Sequence, residues 1–153
     1  MTARIFIDTN VLVYAVDRSE PARRLQANAV IDELGQTQSG VLSAQVVAEF
    51  VSAAGNRIAA PLAPHEVDSV VTSALATFAL IPLDAAVIRE ALRCWRRYGM
   101  SYWDAQIWAA ARIGGIDIIV SEDCPALELE GIRYVNPFAE EFDLAALVTG
   151  GHL

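Results

Sequence analysis

A short apolar run near the start of the chain constrains the fold more than any other feature. The run Ile5–Ile7 is β-branched or aromatic, which is typical of a buried strand. The next three residues, Asp8 to Asn10, are helix-capping types, and apolar residues resume at Val11. A strand that leads directly into a helix indicates an α/β architecture. It also places Asp8 at the carboxyl end of the strand, the edge where ligands bind in open α/β sheets.

The rest of the chain repeats this alternation. A second buried strand is predicted at residues 116–120, and it also ends in polar residues, at 121–123. Short strands alternating with longer helices predict a three-layer α/β/α fold with a mainly parallel central sheet. The length of 153 residues suits one domain with a substantial core. We expect residues 1–153 to form that domain, with a carboxyl-terminal tail from about residue 138.

Composition excludes several kinds of chemistry. The formal net charge is −8, the wrong sign for binding nucleic acid through a broadly basic surface. The chain has no lysine, which excludes a Walker-type phosphate lysine and a Schiff base. Its two histidines, His65 and His152, lie in a predicted loop and at the end of the chain, where a Ser-His-Asp or Cys-His site is not expected. An enzyme of this composition would therefore rely on carboxylates.

Cysteine usage and hydropathy indicate the compartment. Cys94 and Cys124 show neither metal-binding spacing nor a disulfide framework. No apolar stretch approaches the roughly 20 residues of a membrane-spanning helix. The first predicted strand also leaves no room for a signal peptide before it. We therefore expect a reduced, cytoplasmic protein that does not enter a membrane.

Glu49 is a candidate functional carboxylate on a helix. A helix is predicted from Ala44 to about Ala54, with Ser43 as its N-cap. Val46 and Ala53 lie one turn away from Glu49, so this acid sits on or beside the apolar stripe. The ordinary alternative is a surface glutamate, since Glu is rarely buried.

Asp104 is a second helical candidate. It lies in the first turn of a helix predicted over Tyr102–Ile113, and Ile107 and Trp108 follow it one turn later on an apolar face. Ser101 and Asp104 also resemble a capping box, and an acid in the first turn suits the helix dipole. Capping and a functional role are compatible here.

Asp123 follows a predicted strand just as Asp8 does. Two parallel strands that end at one sheet edge would bring these acids close together. A turn aspartate is the alternative for Asp123, and a helix cap is the alternative for Asp8. Glu122 competes with Asp123 for the same role; because side chains alternate along an extended chain, we favour Asp123.

Four neighbouring buried carboxylates would need a cation. They repel one another and raise one another's pKa unless positive charge is present. Mg²⁺ or Mn²⁺ with oxygen ligands meets that need. Such a site activates water and neutralises charge developing on a phosphodiester, so it requires no histidine base. The candidate ligands are Asp8, Glu49, Asp104 and Asp123.

Taken in order, these residues resemble the PIN-domain ribonucleases, particularly the VapC toxins of toxin–antitoxin pairs. The matching stretches span almost the whole chain and are Ile5–Asn10 with Val11 and Leu12, Glu49, Ser101–Ala105, Ile119–Asp123 and Gly131–Phe138. Glu122 adds a second acid next to Asp123, at a point where that family is variable.

The resemblance implies a PIN-like fold and a Mg²⁺- or Mn²⁺-dependent endoribonuclease. By this likeness Asp8, Glu49, Asp104 and Asp123 form the catalytic metal site, and the polar supports are Asn10, Ser121 and, as a weaker candidate, Thr9. The resemblance also implies an RNA substrate, a homodimer, and a small cognate antitoxin protein encoded alongside.

A run of arginines is a candidate RNA contact. A helix is predicted over Ala85–Tyr98, and one of its faces carries Arg89, Arg93, Arg96 and Arg97. In a chain without lysine this is the densest positive patch, although a solvated helix face is the usual explanation. Four aromatic residues nearby in sequence could stack bases or pack in the core: Trp95, Tyr98, Tyr102 and Trp103.

Two other functions remain open. A haloacid-dehalogenase-like phosphohydrolase would use Asp8 as its nucleophile, but Asn10 stands where that family wants an aspartate, and a lysine is missing. A non-catalytic α/β protein-binding module would use its acids only as helix caps. Binding of Mn²⁺, measured as a thermal shift that Asp8→Asn removes, separates the nuclease from that module.

Overall fold

A computed structural model of the chain describes residues 3–150. Its strands and helices alternate along the sequence. In chain order they are β1 (Ile5–Ile7), α1 (Thr9–Val16), α2 (Pro21–Gln36), β2 (Gly40–Ser43), α3 (Ala44–Asn56), α4 (Pro64–Thr77), β3 (Ala79–Ile81), α5 (Ala85–Tyr98), α6 (Tyr102–Ile113), β4 (Ile118–Val120), β5 (Glu128–Leu129), β6 (Ile132–Val135) and α7 (Leu144–Thr149).

The strands form one sheet in the order β3-β2-β1-β4-β6-β5. Neighbouring strands are parallel throughout, except that β5 runs antiparallel to β6. In the centre of the sheet, Phe6 of β1 lies opposite Val41 of β2 and Ile119 of β4. The predicted α/β fold with a mainly parallel sheet is confirmed.

The strand order reverses between β1 and β4. The chain moves from β1 to β2 and β3 in one direction, then returns to place β4 on the other side of β1. Because crossovers between parallel strands are right-handed, α1–α4 cover one face of the sheet and α5 and α6 the other. Contacts of α1 with α2 and α3, and of α5 with α6, agree with these layers. In such sheets ligands bind beyond the carboxyl ends of the strands, at the point of reversal.

Local chemistry explains where the helices around this point begin. The Ser43 hydroxyl accepts a hydrogen bond from the Val46 backbone N–H at the start of α3, at 3.2 Å. The Asp84 carboxylate caps α5 in the same way. At the start of α6, Ser101 Oγ accepts from the Asp104 N–H at 3.1 Å. Each side chain satisfies a backbone donor that the first helical turn leaves free.

Helices on both faces bury the central strands. All three residues of β1 and of β4 are buried, which is why these strands read as continuous apolar runs rather than as alternating ones. Trp108 of α6 is the largest fully buried side chain, and its indole N–H donates to the Leu129 carbonyl oxygen at 3.2 Å. No helix in the described part of the chain is long and apolar enough to cross a membrane.

The differences from the sequence expectations lie at element ends. The strand expected over residues 116–120 begins at Ile118. The two-residue strand β5 was not predicted, because it is too short to show alternation. It joins β6 through Glu130 and Gly131, whose φ angles of 48° and 84° fit the tight hairpin turn that favours glycine.

Candidate functional site

Asp8 lies where the strand order reverses. Its backbone N–H donates to the Val120 carbonyl oxygen at 3.0 Å, which ties the end of β1 to the end of β4. The side chain is buried, and its two oxygens accept hydrogen bonds from Thr9 N (2.6 Å) and Ser121 Oγ (2.7 Å). Burial raises the pKa of Asp8 to about 6, against the lowering effect of these two donors. The negative charges of Glu49 and Asp104 also raise the pKa of Asp8, so three acids share one electrostatic environment.

Glu49 is held in place by donors on two elements. Its Oε2 accepts from the Thr9 hydroxyl at 2.8 Å, and its Oε1 accepts from Gln45 Nε2 at 2.7 Å. Gln45 is buried, and its Oε1 accepts from Gln106 Nε2 of α6 at 2.8 Å. These hydrogen bonds fix the rotamer of Glu49 from α1, α3 and α6 together.

The two glutamines were missed by sequence analysis. A weak signal existed for both of them. Gln45 stands one helical turn before Glu49, and Gln106 interrupts the apolar run of α6. A buried amide in such a run requires polar partners, which here are the other glutamine and Glu49.

Asp104 and Asp123 are less constrained. Asp104 is half-buried, and its backbone N–H donates to Ser101 Oγ, but within residues 3–150 its carboxylate receives no hydrogen bond. The serine half of the expected capping box is therefore present. The other half, in which the Asp104 carboxylate would accept from the Ser101 backbone N–H, is not found within residues 3–150. Asp123 is exposed, with its backbone N–H donating to Ser121 Oγ at 3.1 Å.

All four predicted acids line one cleft of about 410 Å³. The other residues around it are Thr9, Asn10, Val13, Tyr14, Asp17, Trp103 and Ile107. Asp17 is a fifth carboxylate that sequence analysis did not propose. It is buried, and its Oδ1 accepts from the backbone N–H and the hydroxyl of Ser19.

The expectation that all four acids are buried is wrong. Only Asp8 is buried; Glu49 and Asp104 are half-buried and Asp123 is exposed. Glu49 and Asp104 lie on helices at the side of the cleft, whereas Asp8 ends a fully covered strand. Within the described residues no three acidic, histidine or cysteine side chains come close enough together to form a metal-binding cluster.

The chemistry of the donors nevertheless suits a hard divalent cation. Every candidate ligand is a carboxylate, and Mg²⁺ prefers oxygen. Mg²⁺ also keeps several of its waters and binds directly to only one or two carboxylates. A cleft with acids on its walls and room for a hydrated ion satisfies that requirement without a tight protein cluster.

Asn10 and Ser121 link the two strand ends. Asn10 Nδ2 donates to Ser121 Oγ at 2.9 Å, and Asn10 Oδ1 accepts from the Glu122 backbone N–H at 3.2 Å. The Glu122 carboxylate is bound elsewhere, by Arg23 Nε at 2.8 Å and by the Tyr14 hydroxyl at 3.2 Å. Glu122 does not line the cleft, which leaves Asp123 as the acid there.

The predicted arginine face divides into two parts. Arg93 forms ion pairs with Glu90 and Glu130, each at 2.7 Å, and its guanidinium also lies over the Trp108 ring. Hydrogen bonds from Arg93 and Tyr98 lower the pKa of Glu130 to about 2. Arg93 therefore belongs to a structural network between α5, α6 and the β5–β6 hairpin. The remaining three, Arg89, Arg96 and Arg97, are exposed and form no ion pair within residues 3–150.

Comparison with known proteins gives a family match and a fold match. The family profile described as "PIN domain" matches residues 5–124. No curated protein sequence matches. Several solved structures share the fold at low sequence identity. A toxin–antitoxin complex from Klebsiella pneumoniae has a TM-score of 0.65 at 18% identity, covering 89% of this chain and 98% of that chain.

The FitAB complex bound to an IR36 DNA fragment has a TM-score of 0.70 at 20% identity, covering 90% of this chain and 98% of that chain. VapC20 of Mycobacterium tuberculosis, a sarcin-ricin loop cleaving toxin, has a TM-score of 0.55 at 16% identity, covering 83% of this chain and 90% of that chain.

Proposed function

This chain belongs to the PIN domain family, and from that premise we propose that it is a metal-dependent endoribonuclease, the toxin of a toxin–antitoxin pair. The observation that carries the proposal is the shared cleft: four carboxylates from four separate elements or loops line it, beyond the point where the strand order reverses. The similar fold of VapC20, a toxin that cleaves the sarcin-ricin loop, supports RNA as the substrate.

Asp8, Glu49, Asp104 and Asp123 are the residues that would hold Mg²⁺ or Mn²⁺. When bound, the cation supplies water activation and neutralises negative charge developing on the phosphodiester during in-line displacement. Without a cation, the charges of Glu49 and Asp104 help to hold the pKa of buried Asp8 well above its usual range. Cation binding therefore relieves a repulsion that the fold itself creates.

The residues around these acids set their geometry. Thr9 donates from its backbone to Asp8 and from its hydroxyl to Glu49, so one residue orients two carboxylates. Ser121 donates to Asp8 from the neighbouring strand, and Asn10 holds Ser121. Within residues 3–150 no histidine lines the cleft, so we assign proton transfer to water and the carboxylates.

The experiment that tests the proposal compares Asp104→Asn with Asp68→Asn. Both substitutions remove one negative charge from a helix, but Asp68 is exposed on α4 and lies outside the cleft. RNA from cells that express each chain, mapped for new ends, should show cleavage sites with the unsubstituted chain and with Asp68→Asn. Asp104→Asn should show none, while its circular dichroism and urea unfolding stay close to those of the unsubstituted chain.

Purified protein gives the second arm of the same experiment. RNA cleavage should require Mg²⁺ or Mn²⁺ and stop on chelation. Full cleavage by folded Asp104→Asn, or cleavage that persists in excess chelator, would contradict the metal-dependent mechanism.

An antitoxin and a second copy of the chain complete the proposal. Chains with this fold occur in a toxin–antitoxin complex and in a VapBC complex, which supports the proposal that this chain also binds a small antitoxin protein. A separate apolar cleft of about 540 Å³ lies between α1, α2, α3 and α4, with Leu12, Ile31, Phe50 and Val70 among its lining residues. Such a cleft can accept the apolar face of an amphipathic helix, so we assign the antitoxin to it. We also propose a homodimer, as the family resemblance implies.

A further inference from the structure

Trp103 is an exposed tryptophan at the acidic cleft. Its side chain is 63% exposed although it directly precedes Asp104, and it contributes to the cleft lining. Its backbone carbonyl oxygen accepts from Gln45 Nε2 at 3.2 Å, the same amide that orients Glu49. The position of Trp103 is therefore fixed relative to the acids, while its large apolar ring is left in solvent. An indole contributes most to folding when it is buried, so this exposure requires another explanation.

Trp103 is one end of a row of three aromatic rings. The Tyr102 ring lies 5.7 Å from that of Trp103 and 6.4 Å from that of Trp95, both in edge-to-face geometry. Trp95 is 46% exposed on α5. We call Trp103, Tyr102 and Trp95 the aromatic row; it leads away from the cleft along the surface of α5 and α6. The row is continuous with the cleft because Trp103 belongs to both.

The charge of the protein limits how RNA can be held near this cleft. Among residues 3–150, five carboxylates and no cationic side chain line the cleft, in a chain of net charge −8 without lysine. Phosphate contacts are therefore few close to the acids, and long-range attraction is absent. Stacking of a base on an aromatic ring needs no cation and tolerates any base.

From these observations we propose that the aromatic row is a stacking platform for unpaired nucleobases, with Trp103 holding the base next to the phosphate in the cleft. The inference rests on the proposed nuclease function and deepens it, because it assigns the side chains that hold unpaired bases beside the phosphate in the cleft. In a duplex both faces of each base are already stacked, so the platform selects loops and other unpaired segments.

The test measures RNA binding by the full chain carrying Asp104→Asn, so that the RNA stays intact. The probes are a fluorescein-labelled single-stranded RNA oligonucleotide and the same sequence as a duplex, followed by anisotropy. Adding Trp103→Leu should weaken single-strand binding roughly 5- to 150-fold, the range for loss of one stacked base. Trp103→Phe should retain most of the affinity. The matched control Leu25→Ala removes a 77% exposed apolar side chain on α2 and should change nothing.

Salt dependence and strand preference give independent readouts. If stacking replaces phosphate contacts, the protein makes at most two phosphate contacts with the RNA. Its affinity for single-stranded RNA should then fall roughly sevenfold or less between 50 and 200 mM salt. Duplex binding should be weaker than single-strand binding and insensitive to Trp103→Leu. A steep salt dependence, or equal affinity for the duplex, would overturn the platform.

Two further results separate this inference from the function on which it rests. If the chain without substitutions cleaves RNA and Trp103→Leu neither weakens binding nor slows cleavage, the platform is wrong while the nuclease stands. If Trp103→Leu converts a dimer to a monomer in sedimentation velocity, the row joins two copies of the chain and the platform is wrong. If the chain without substitutions neither cleaves nor binds RNA, both proposals fail.

Discussion

Asp8 should make the metal-free protein less stable as the pH rises from about 4 to about 7. Burial raises the pKa of Asp8 from 3.8 to about 6 in the folded chain. Well below pH 3.8 this carboxyl is protonated in both the folded and the unfolded state, and well above pH 6 it is ionised in both. Between these values the folded state binds more protons, so the free energy of unfolding falls as the pH rises. Over the whole window the loss is about 3 kcal/mol.

The comparison that isolates this effect is Asp8→Asn, which has no charge at any pH. Urea unfolding of both proteins in excess chelator, from about pH 4 to about pH 7.5, gives the difference in their free energies of unfolding. Between these two pH values the unsubstituted chain should lose about 2.4 kcal/mol of stability relative to Asp8→Asn, because part of the total loss has already occurred at pH 4. The amide cannot accept from both Thr9 N and Ser121 Oγ as the carboxylate does, but that loss shifts the difference by the same amount at every pH.

Two results would refute the reasoning. A difference that does not change with pH would mean that Asp8 titrates at its ordinary pKa and is not desolvated by the fold. If the unsubstituted chain instead became more stable relative to Asp8→Asn as the pH rises, a net attraction would be lowering the pKa of Asp8. Saturating Mg²⁺ at about pH 7.5 should raise the stability of the unsubstituted chain more than that of Asp8→Asn, because the cation binds only the folded site.

The remaining predictions concern the partner cleft and a buried hydroxyl. Val70→Glu should prevent complex formation with the proposed antitoxin, measured by co-purification and calorimetry, because it places a charge in the apolar cleft. Val51→Glu, at a helix position of similar exposure outside that cleft, should leave the complex intact. Tyr134→Phe should raise the free energy of unfolding by about 1 kcal/mol or more, because within residues 3–150 the buried Tyr134 hydroxyl has no hydrogen-bond partner. A less stable Tyr134→Phe in urea unfolding would indicate a partner for that hydroxyl.

The starts of three helices were predictable because short-range chemistry fixes them. Ser43, Asp84 and Ser101 each cap the helix that begins at the next residue, as expected from residue type alone. The burial of β1 and β4 was predictable from their uninterrupted apolar character, which is typical of central parallel strands. Together these features placed Asp8 and the residues after β4 at one edge of the sheet.

The partners of charged residues could not be predicted, because they depend on tertiary packing. Arg93 and its neighbours look equivalent on a helical wheel, yet Arg93 alone meets Glu130, 37 positions later in the chain. Glu122 and Asp123 are adjacent acids, but Arg23 of α2 and the Tyr14 hydroxyl of α1 bind the Glu122 carboxylate, and Glu122 does not line the cleft. The half-buried state of Glu49 and Asp104 could not be predicted either, because α3 is covered on one side only and Asp104 lies in the first turn of α6, just before residues 105–111, which are buried on all sides.

The acids of the cleft differ in how they are held, and this difference bears on cation binding. Asp8 and Glu49 each accept hydrogen bonds on both oxygens, so their positions are set before any cation arrives. Asp104 and Asp123 receive none on their carboxylates within residues 3–150, so they can turn toward a cation without breaking a contact. A carboxylate oxygen that accepts one hydrogen bond still has a free lone pair, so the fixed pair remains able to bind. If these four acids bind the proposed cation, they offer it two fixed and two adjustable carboxylates, so that a hydrated Mg²⁺ can bind directly to one or two of them and contact the others through its waters.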